Sequence, residues 1–256
     1  MEPTGCLDVN GTSLEYQWLA GNPEKPAMVL LHEGLGCVAM WRDFPQQLQE
    51  AIGCGVFVYS RQGYGGSDPC TLPRPITYMH DEADVLANIL DALPNRNVFL
   101  LGHSDGASIA TIYAGGHKNP GLRGIILIAP HFFVEEISLE AIRKARTSFD
   151  QGILRHLLKK YHGDNIDCAF RGWNGAWLDP EFTSWDITDY LERVDVPILG
   201  IQGREDEYGT LAQMQAIETL AKNRRKALVL ENCGHEIHRQ CASKLTAAVS
   251  DFLADT

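Results

Sequence analysis

Short apolar segments alternate with helix-like segments along most of the chain. The apolar segments are rich in Val, Ile, Leu and Phe, which is typical of buried strands; they span residues 27–32, 55–60, 97–101, 124–129, 197–201 and 226–230. Apolar side chains at helical spacing lie between or after them, in residues 41–51, 77–93, 108–114, 211–220 and 242–253. This alternation predicts an α/β fold, with a mostly parallel, doubly wound sheet and right-handed crossovers.

Residues 131–189 interrupt this alternation. They contain helix-like segments and several aromatic side chains but no convincing central strand. We therefore expect a core formed by residues 1–130 and 190–256, and a helical insertion formed by residues 131–189. Ligands of such sheets bind beyond the carboxyl ends of the strands, so the insertion is expected to be a cap over a pocket rather than a set of bracing helices.

A G-x-S-x-G motif lies between one predicted strand and the helix that follows it. The motif is Gly102-His103-Ser104-Asp105-Gly106. In this position it is typical of a nucleophile elbow, a sharp turn that exposes the serine hydroxyl. The flanking glycines let the neighbouring backbone pass without a clash at Cβ. Ser104 is therefore the candidate nucleophile.

A serine nucleophile needs a base for its proton and a carboxylate that orients the base. Where a nucleophile elbow is used, the order along the chain is serine, acid, histidine. Asp206 follows the strand at 197–201 and is preferred to its neighbours Glu205 and Glu207. His235 follows Gly234 in the loop after the last strand and is preferred to His238, which is interpreted as a structural hydrogen-bonding partner.

Acyl transfer also needs N–H donors for the oxyanion of the tetrahedral intermediate. Asp105 follows the nucleophile and supplies the first candidate N–H. The loop at 32–36 is rich in glycine and supplies the second, for which Gly34 is preferred and Leu35 is the alternative.

These segments together resemble the α/β-hydrolase superfamily. His32-Glu33-Gly34-Leu35-Gly36 is similar to its His-Gly-x-x-Gly segment, Arg61-Gln62-Gly63-Tyr64-Gly65-Gly66-Ser67-Asp68 to its D-x-x-G-x-G-x-S loop, and Gly203-Arg204-Glu205-Asp206 and Gly234-His235 to its acid and base segments. The resemblance implies an α/β-hydrolase fold and an acyl-enzyme on Ser104, with no metal or organic cofactor. The chain departs from the family pattern at Glu33, where glycine is commoner, and at Arg61, where many relatives have aspartate.

The resemblance is weakly specific for the substrate. Ser104 argues against haloalkane dehalogenases and epoxide hydrolases, which have an aspartate at the elbow. A carboxylesterase for small esters is the default expectation, and a carbon–carbon (diketone) hydrolase, an amino-acid ester or amide hydrolase, and a non-catalytic binding protein are the alternatives.

Candidate substrate contacts are Leu35, His103, Phe132, Trp173 and Trp177. The aromatic members of this set suggest an apolar site of modest size. They are equally compatible with a hydrophobic core inside the insertion. Asp105 either binds a substrate ammonium or complements the start of the helix that follows it.

The composition limits the partners. The net charge is −11 and the pI is about 5.2, so there is no basic field to attract nucleic acid. No segment has the apolar length of a membrane span, and the N-terminus shows no secretory signal. We expect a cytoplasmic protein that acts on a small molecule; the sequence predicts no particular oligomeric state.

Overall fold

One sheet of eight strands organises the molecule. In the computed structural model, which describes residues 1–256, the strand order is β1-β2-β4-β3-β5-β6-β7-β8. The strands are β1 (Thr4–Val9), β2 (Thr12–Leu19), β3 (Ala27–Leu31), β4 (Val56–Tyr59), β5 (Val98–His103), β6 (Leu122–Ile128), β7 (Ile198–Gly203) and β8 (Arg225–Leu230). From β4 to β8 every neighbouring pair is parallel. The predicted α/β architecture is confirmed.

Two strands at one edge were not predicted. β1 and β2 pair with each other, and β2 with β4, in antiparallel orientation. Their side chains are largely exposed or half-buried, so they lack the continuous apolar run by which the inner strands were recognised. The signal that would have found them is Asn10-Gly11, where both residues have positive φ (54° and 82°), as a tight hairpin turn requires.

Helices cover both faces of the sheet. They are α1 (Phe44–Ile52), α2 (Tyr78–Ala92), α3 (Asp105–Gly116), α4 (Glu136–Asp150), α5 (Ile153–His162), α6 (Ile166–Trp177), α7 (Thr188–Arg193), α8 (Ala212–Leu220), α9 (Ile237–Gln240) and α10 (Ala242–Ala254). Neighbouring residues of a strand point to opposite faces. Leu100 accordingly belongs to the apolar core on the face of α2 and α3, whereas Phe99 belongs to the core on the face of α1 and α10. No helix combines the length and apolar character that crossing a membrane would need.

The segment between β6 and β7 is helical. It forms α4, α5, α6 and α7, of which α7 runs past residue 189, the expected end of the insertion. Some of its aromatic rings pack within the insertion, since Phe149 stacks on Phe170 with 3.7 Å between ring centroids. Other residues contact the core, among them Asn165, whose amide donates to the Ser67 carbonyl at 2.6 Å.

Candidate active site

The turn at Ser104 joins β5 directly to α3. Ser104 has φ 54° and ψ −117°, a conformation that costs energy for a residue with a side chain and is held by its surroundings. A Cβ added at Gly102 would overlap the Gly106 backbone, and one added at Gly106 would overlap the Leu31 carbonyl. The two glycines therefore allow the close packing that fixes the serine at the carboxyl end of the sheet.

His235 and Asp206 lie together beside this turn. Nδ1 of His235 is 2.9 Å from Oδ1 of Asp206, and both residues are less than a tenth exposed. Asp206 follows β7 and also accepts a hydrogen bond from the Tyr208 N–H at 2.8 Å. The loop after β8 carries His235. No hydrogen bond joins the Ser104 hydroxyl to His235 in the structure.

Asp206 and His235 shift each other's pKa. Burial by itself raises the pKa of Asp206, but its interactions with His235, the Tyr208 N–H and His131 together outweigh burial and leave that pKa below its usual value. Burial by itself lowers the pKa of His235, but the Asp206 carboxylate, together with Glu236 and Glu207, outweighs burial and leaves that pKa above its usual value. The Asp206 carboxylate thus accepts the proton on Nδ1 of His235 as a hydrogen bond, fixes the orientation of the imidazole ring and makes that ring a stronger base.

Three further histidines surround His235 and stay uncharged. Burial lowers the pKa of His131 and of His238 to about 4 each, and that of His103 well below its usual value. His103 is fully buried, and its Nε2 donates to the His235 carbonyl at 3.0 Å. The structure therefore places His103, an expected substrate contact, where it supports the His235 backbone. His238 lies 5.3 Å from the His103 ring, while its nearest carboxylate, Glu236, is 4.0 Å away.

The loop at 32–36 presents free N–H groups. The Gly36 N–H donates to the Glu33 carbonyl at 3.1 Å and closes the turn, and the N–H groups of Gly34 and Leu35 have no hydrogen-bond partner in the protein. Arg61 donates to the carbonyls of His32 (2.5 Å) and Glu33 (3.1 Å) and fixes the loop to the core. The Asp105 N–H is also free of an intrahelical partner, as the first N–H of a helix must be.

Glu33, the departure from the family pattern, has an unusual carboxyl group. Its side chain folds over Gly36, where a Cβ would overlap the carboxylate. Burial and the nearby Glu236 raise the pKa of Glu33 to about 8. The loop tolerates this side chain because Gly36 leaves room for it.

The Asp105 side chain connects the core to the insertion. It is fully buried and accepts hydrogen bonds from the Tyr78 hydroxyl (2.5 Å) and from the Trp177 indole (3.2 Å). The Arg61 guanidinium lies 3.9 Å away. Burial raises the pKa of Asp105, and Arg61 opposes that rise most strongly. The hydrogen bonds that the carboxylate accepts come from Tyr78 and Trp177 rather than from the N–H groups at the start of α3.

Sequence reasoning missed the roles of Arg61 and Tyr78. Arg61 was noticed only as a departure from the family pattern. A fully buried arginine requires a carboxylate or several acceptors nearby. The signal was the position of Arg61 directly after the apolar segment 55–60, which predicts such a partner and could have led to Asp105.

Of the remaining residues expected to contact substrate, Phe132 packs in the interior, whereas Trp173 and Leu35 lie at the loop at 32–36. Phe132 is fully buried, and its N–H donates to the Gln213 side chain at 2.8 Å, so it belongs to the packing between the insertion and α8. Trp173 lies against the loop at 32–36, and a Cβ added at Gly34 would overlap its indole nitrogen. Leu35 is half-buried, and its carbonyl faces Nε2 of His162 at 2.9 Å.

The site is nearly closed. Ser104 is 7% exposed and Trp173 is 5% exposed. A pocket of about 610 Å³ lies at the other end of the strands and is lined by residues such as Ile52, Phe99 and Leu253. No cluster of three or more His, Cys, Asp or Glu side chains is arranged to hold a metal ion.

Comparison with known proteins gives consistent matches. A family model described as the alpha/beta hydrolase family matches residues 28–249. A proline iminopeptidase of Lactobacillus helveticus is 23% identical, with 97% of each chain covered. The serine hydrolase BPHL of Homo sapiens is 26% identical, with 96% of this chain and 84% of that one covered.

Solved structures share the fold over the full chain. An enol-lactonase from Burkholderia xenovorans LB400 superposes with a TM-score of 0.76 at 19% identity, covering 98% of this chain and 100% of that one. An esterase from Exiguobacterium antarcticum gives a TM-score of 0.77 at 20% identity, covering 99% and 100%.

Proposed function

Because the chain belongs to the alpha/beta hydrolase family, we propose that it is a serine hydrolase that cleaves small carboxylic esters through an acyl-enzyme on Ser104. The observation that carries this proposal is the His235–Asp206 pair, 2.9 Å apart, beside a serine held at φ 54°. A hydrogen-bonded imidazole and carboxylate next to a strained serine is the arrangement that activates a hydroxyl nucleophile.

The proposed reaction has two halves. Oγ of Ser104 attacks the ester carbonyl while Nε2 of His235 accepts the hydroxyl proton, and Asp206 stabilises the imidazolium that forms. The alcohol leaves with the proton from His235. Water then attacks the acyl-enzyme with the same histidine as base, and the free acid departs. The proposed mechanism requires no cofactor.

The oxyanion is assigned to two backbone donors. The N–H groups of Gly34 and Asp105 have no hydrogen-bond partners in the protein; Gly34 lies in the loop after β3, and Asp105 directly follows Ser104. Donors already fixed in place stabilise developing charge without reorganisation. Arg61 supports both segments, because it bonds to the carbonyls before Gly34 and lies beside the Asp105 carboxylate.

The closed site supports a small substrate. Trp173 and Trp177 bring the insertion against the loop at 32–36 and against Asp105. We propose that residues 131–189 act as a cap that moves to admit the ester and excludes water during the reaction. The cytoplasmic location expected from the sequence is part of the same proposal.

A second candidate is hydrolysis of an aminoacyl ester or amide. It is favoured by the relatives described as proline iminopeptidases, which match the chain over nearly its whole length. The buried contacts of Asp105 count against that residue as the ammonium ligand. Small esters are therefore preferred.

A labelling experiment tests the proposal. A fluorophosphonate probe should modify wild-type protein at Ser104 and leave Ser104→Ala unmodified, with both variants folded by circular dichroism. A panel of p-nitrophenyl esters of graded chain length, with an amino ester and a vinylogous diketone, should show highest kcat/KM for short acyl chains. Folded wild-type protein that neither reacts with the probe nor turns over any ester would identify a binding protein on this scaffold.

A further inference from the structure

The helical insertion places an N–H donor of its own beside the loop at 32–36. Trp173 lies in α6 and is only 5% exposed. Its indole nitrogen packs against Gly34, where no Cβ could be accommodated. The indole nitrogens of Trp41 and Trp185 are fully buried and have no hydrogen-bond partners. The Trp173 indole nitrogen also has no hydrogen-bond partner in the protein, but it is not fully buried.

The indole N–H of Trp173, beside Gly34, can donate a hydrogen bond to an acceptor on a bound ligand. The Trp173 side chain is mostly buried while its N–H has no partner in the protein, so an acceptor on a bound molecule would satisfy a donor that the protein itself leaves unpaired. The oxyanion itself takes the backbone N–H groups assigned to Gly34 and Asp105. The indole N–H of Trp173 therefore remains available for a second oxygen of the substrate.

The sheet order indicates which part of the substrate this oxygen belongs to. Ser104 follows β5, the loop that contacts Trp173 follows β3, and the Asp206 and His235 segments follow β7 and β8. β3 and β7 lie on opposite sides of β5 in the sheet. His235 must reach the leaving alcohol to protonate it, so Trp173 lies on the other side, toward the acyl group.

We propose that the indole N–H of Trp173 binds an oxygen on the carbon next to the ester carbonyl, so that the enzyme prefers esters of 2-hydroxy or 2-oxo acids. This inference rests on the proposed function and narrows its substrate class. Trp173 is then a specificity residue carried by the cap, and it can act only when the cap is closed on the loop at 32–36.

The wild-type enzyme provides the first test. Hydrolysis of methyl lactate (each enantiomer), methyl pyruvate and methyl propionate is followed at constant pH by titration of the acid formed. Each kcat/KM is divided by the rate constant for hydroxide hydrolysis of the same ester, which removes intrinsic reactivity. Roughly tenfold or greater preference for at least one lactate enantiomer and for pyruvate over propionate is expected, since a site built around a donor rejects analogues without the acceptor. Equal normalised values would overturn the inference, whatever any variant does.

A pair of variants provides the second test. Trp173→Phe should lose the preference. The ratio of normalised kcat/KM for the lactate and pyruvate esters to that for methyl propionate should come to within about twofold of one, mainly because kcat/KM for the oxygenated esters falls. Trp185→Phe is the matched control, since it removes an indole of the same insertion whose N–H has no partner, and it should retain the wild-type ratio. A Trp173→Phe enzyme that loses the same factor on lactate and propionate would show that the indole does not select the oxygen.

The two levels of proposal fail in different ways. If the proposed function is wrong, none of the esters turns over and Ser104 is not labelled by a fluorophosphonate. If only the assignment of Trp173 is wrong, Ser104 is labelled and the esters turn over without the expected preference.

Discussion

The indole nitrogen of Trp177 lies 3.2 Å from Oδ1 of Asp105, so the insertion is hydrogen-bonded to the residue that directly follows the proposed nucleophile. The same indole lies 3.1 Å from the Tyr78 hydroxyl, which itself donates to Asp105 at 2.5 Å. All three side chains are almost completely buried. The position of the insertion and the geometry of the elbow are therefore linked through one carboxylate.

Replacing Trp177 by Phe should weaken this link. The change removes the indole N–H from a buried carboxylate, and hydrogen bonds to charged groups contribute about 1.5–3 kcal/mol. Trp185→Phe removes a comparable ring volume but no hydrogen bond. Urea denaturation should give a larger loss of unfolding free energy for Trp177→Phe than for Trp185→Phe; equal losses would mean that the bond to Asp105 contributes nothing.

Asp105→Asn should destabilise the protein strongly. It removes the carboxylate that lies 3.9 Å from the fully buried Arg61 guanidinium, and breaking a buried charge pair from one side costs about 3–5 kcal/mol. Asp91→Asn is the control, because Asp91 and Arg96 are exposed and such pairs contribute about 0–1 kcal/mol. Chemical denaturation measures both variants.

The same Asp105 variant also tests the ammonium hypothesis. Because the carboxylate is occupied by groups of the protein, the ratio of kcat/KM for an amino ester to that for its desamino analogue should not change. A selective loss on the amino ester would show that Asp105 binds the substrate after all.

Asp206→Asn should lower kcat by about 10⁴-fold, the effect expected when the orienting carboxylate of a serine–histidine pair is neutralised. It should also move the pH profile. His235 acts as a base only when neutral, so kcat/KM falls as the pH drops through its pKa. The Asp206 carboxylate raises that pKa, and its loss should therefore shift the acid limb to lower pH. Glu207→Gln, a change at a neighbouring acid, should retain activity within a few-fold; a large loss there and little at Asp206 would reverse the assignment.

Ser104→Ala should lower kcat by about 10⁶-fold, because the members of a triad act as a unit. Turnover of p-nitrophenyl acetate by the purified variant is the measurement. Activity near that of the wild type would remove Ser104 from the mechanism, provided that contaminating esterase is excluded by active-site titration.

Gly34→Ala should damage catalysis by a steric route. The added methyl group overlaps the Trp173 indole, so either the loop or the cap must shift, and displacements of about 1 Å cost roughly 100-fold in rate. Gly175→Ala, in the same helix as Trp173, places its methyl group in open space and should leave kcat/KM unchanged. Comparable losses in the two variants would point to general disturbance of the insertion.

The inner strands of the sheet, and the turns that follow them, could be predicted from the sequence. The inner strands carry continuous apolar runs because both of their faces are buried, and their alternation with helices predicts the parallel sheet that the structure confirms. Ser104 directly follows one such strand and Asp206 lies three residues after the end of another, and the carboxyl ends of parallel strands share one edge. Proximity of these residues could therefore be expected, although their catalytic roles remain predictions. The edge strands β1 and β2 were missed because one-sided burial leaves a weaker pattern.

The sequence by itself determined the parallel sheet, the glycine-flanked turn at Ser104 and the order in which its candidate partners follow. Only the tertiary structure decided what each side chain contacts. Trp173 and Trp177 lie four residues apart in one helix, yet the indole of Trp177 bonds to Asp105 while that of Trp173 is free beside Gly34. Arg61, Tyr78 and Trp177 likewise reach Asp105 from three separate parts of the chain. Local patterns predict the period and burial of an element, whereas contacts between distant segments depend on how the elements pack, which no local pattern contains.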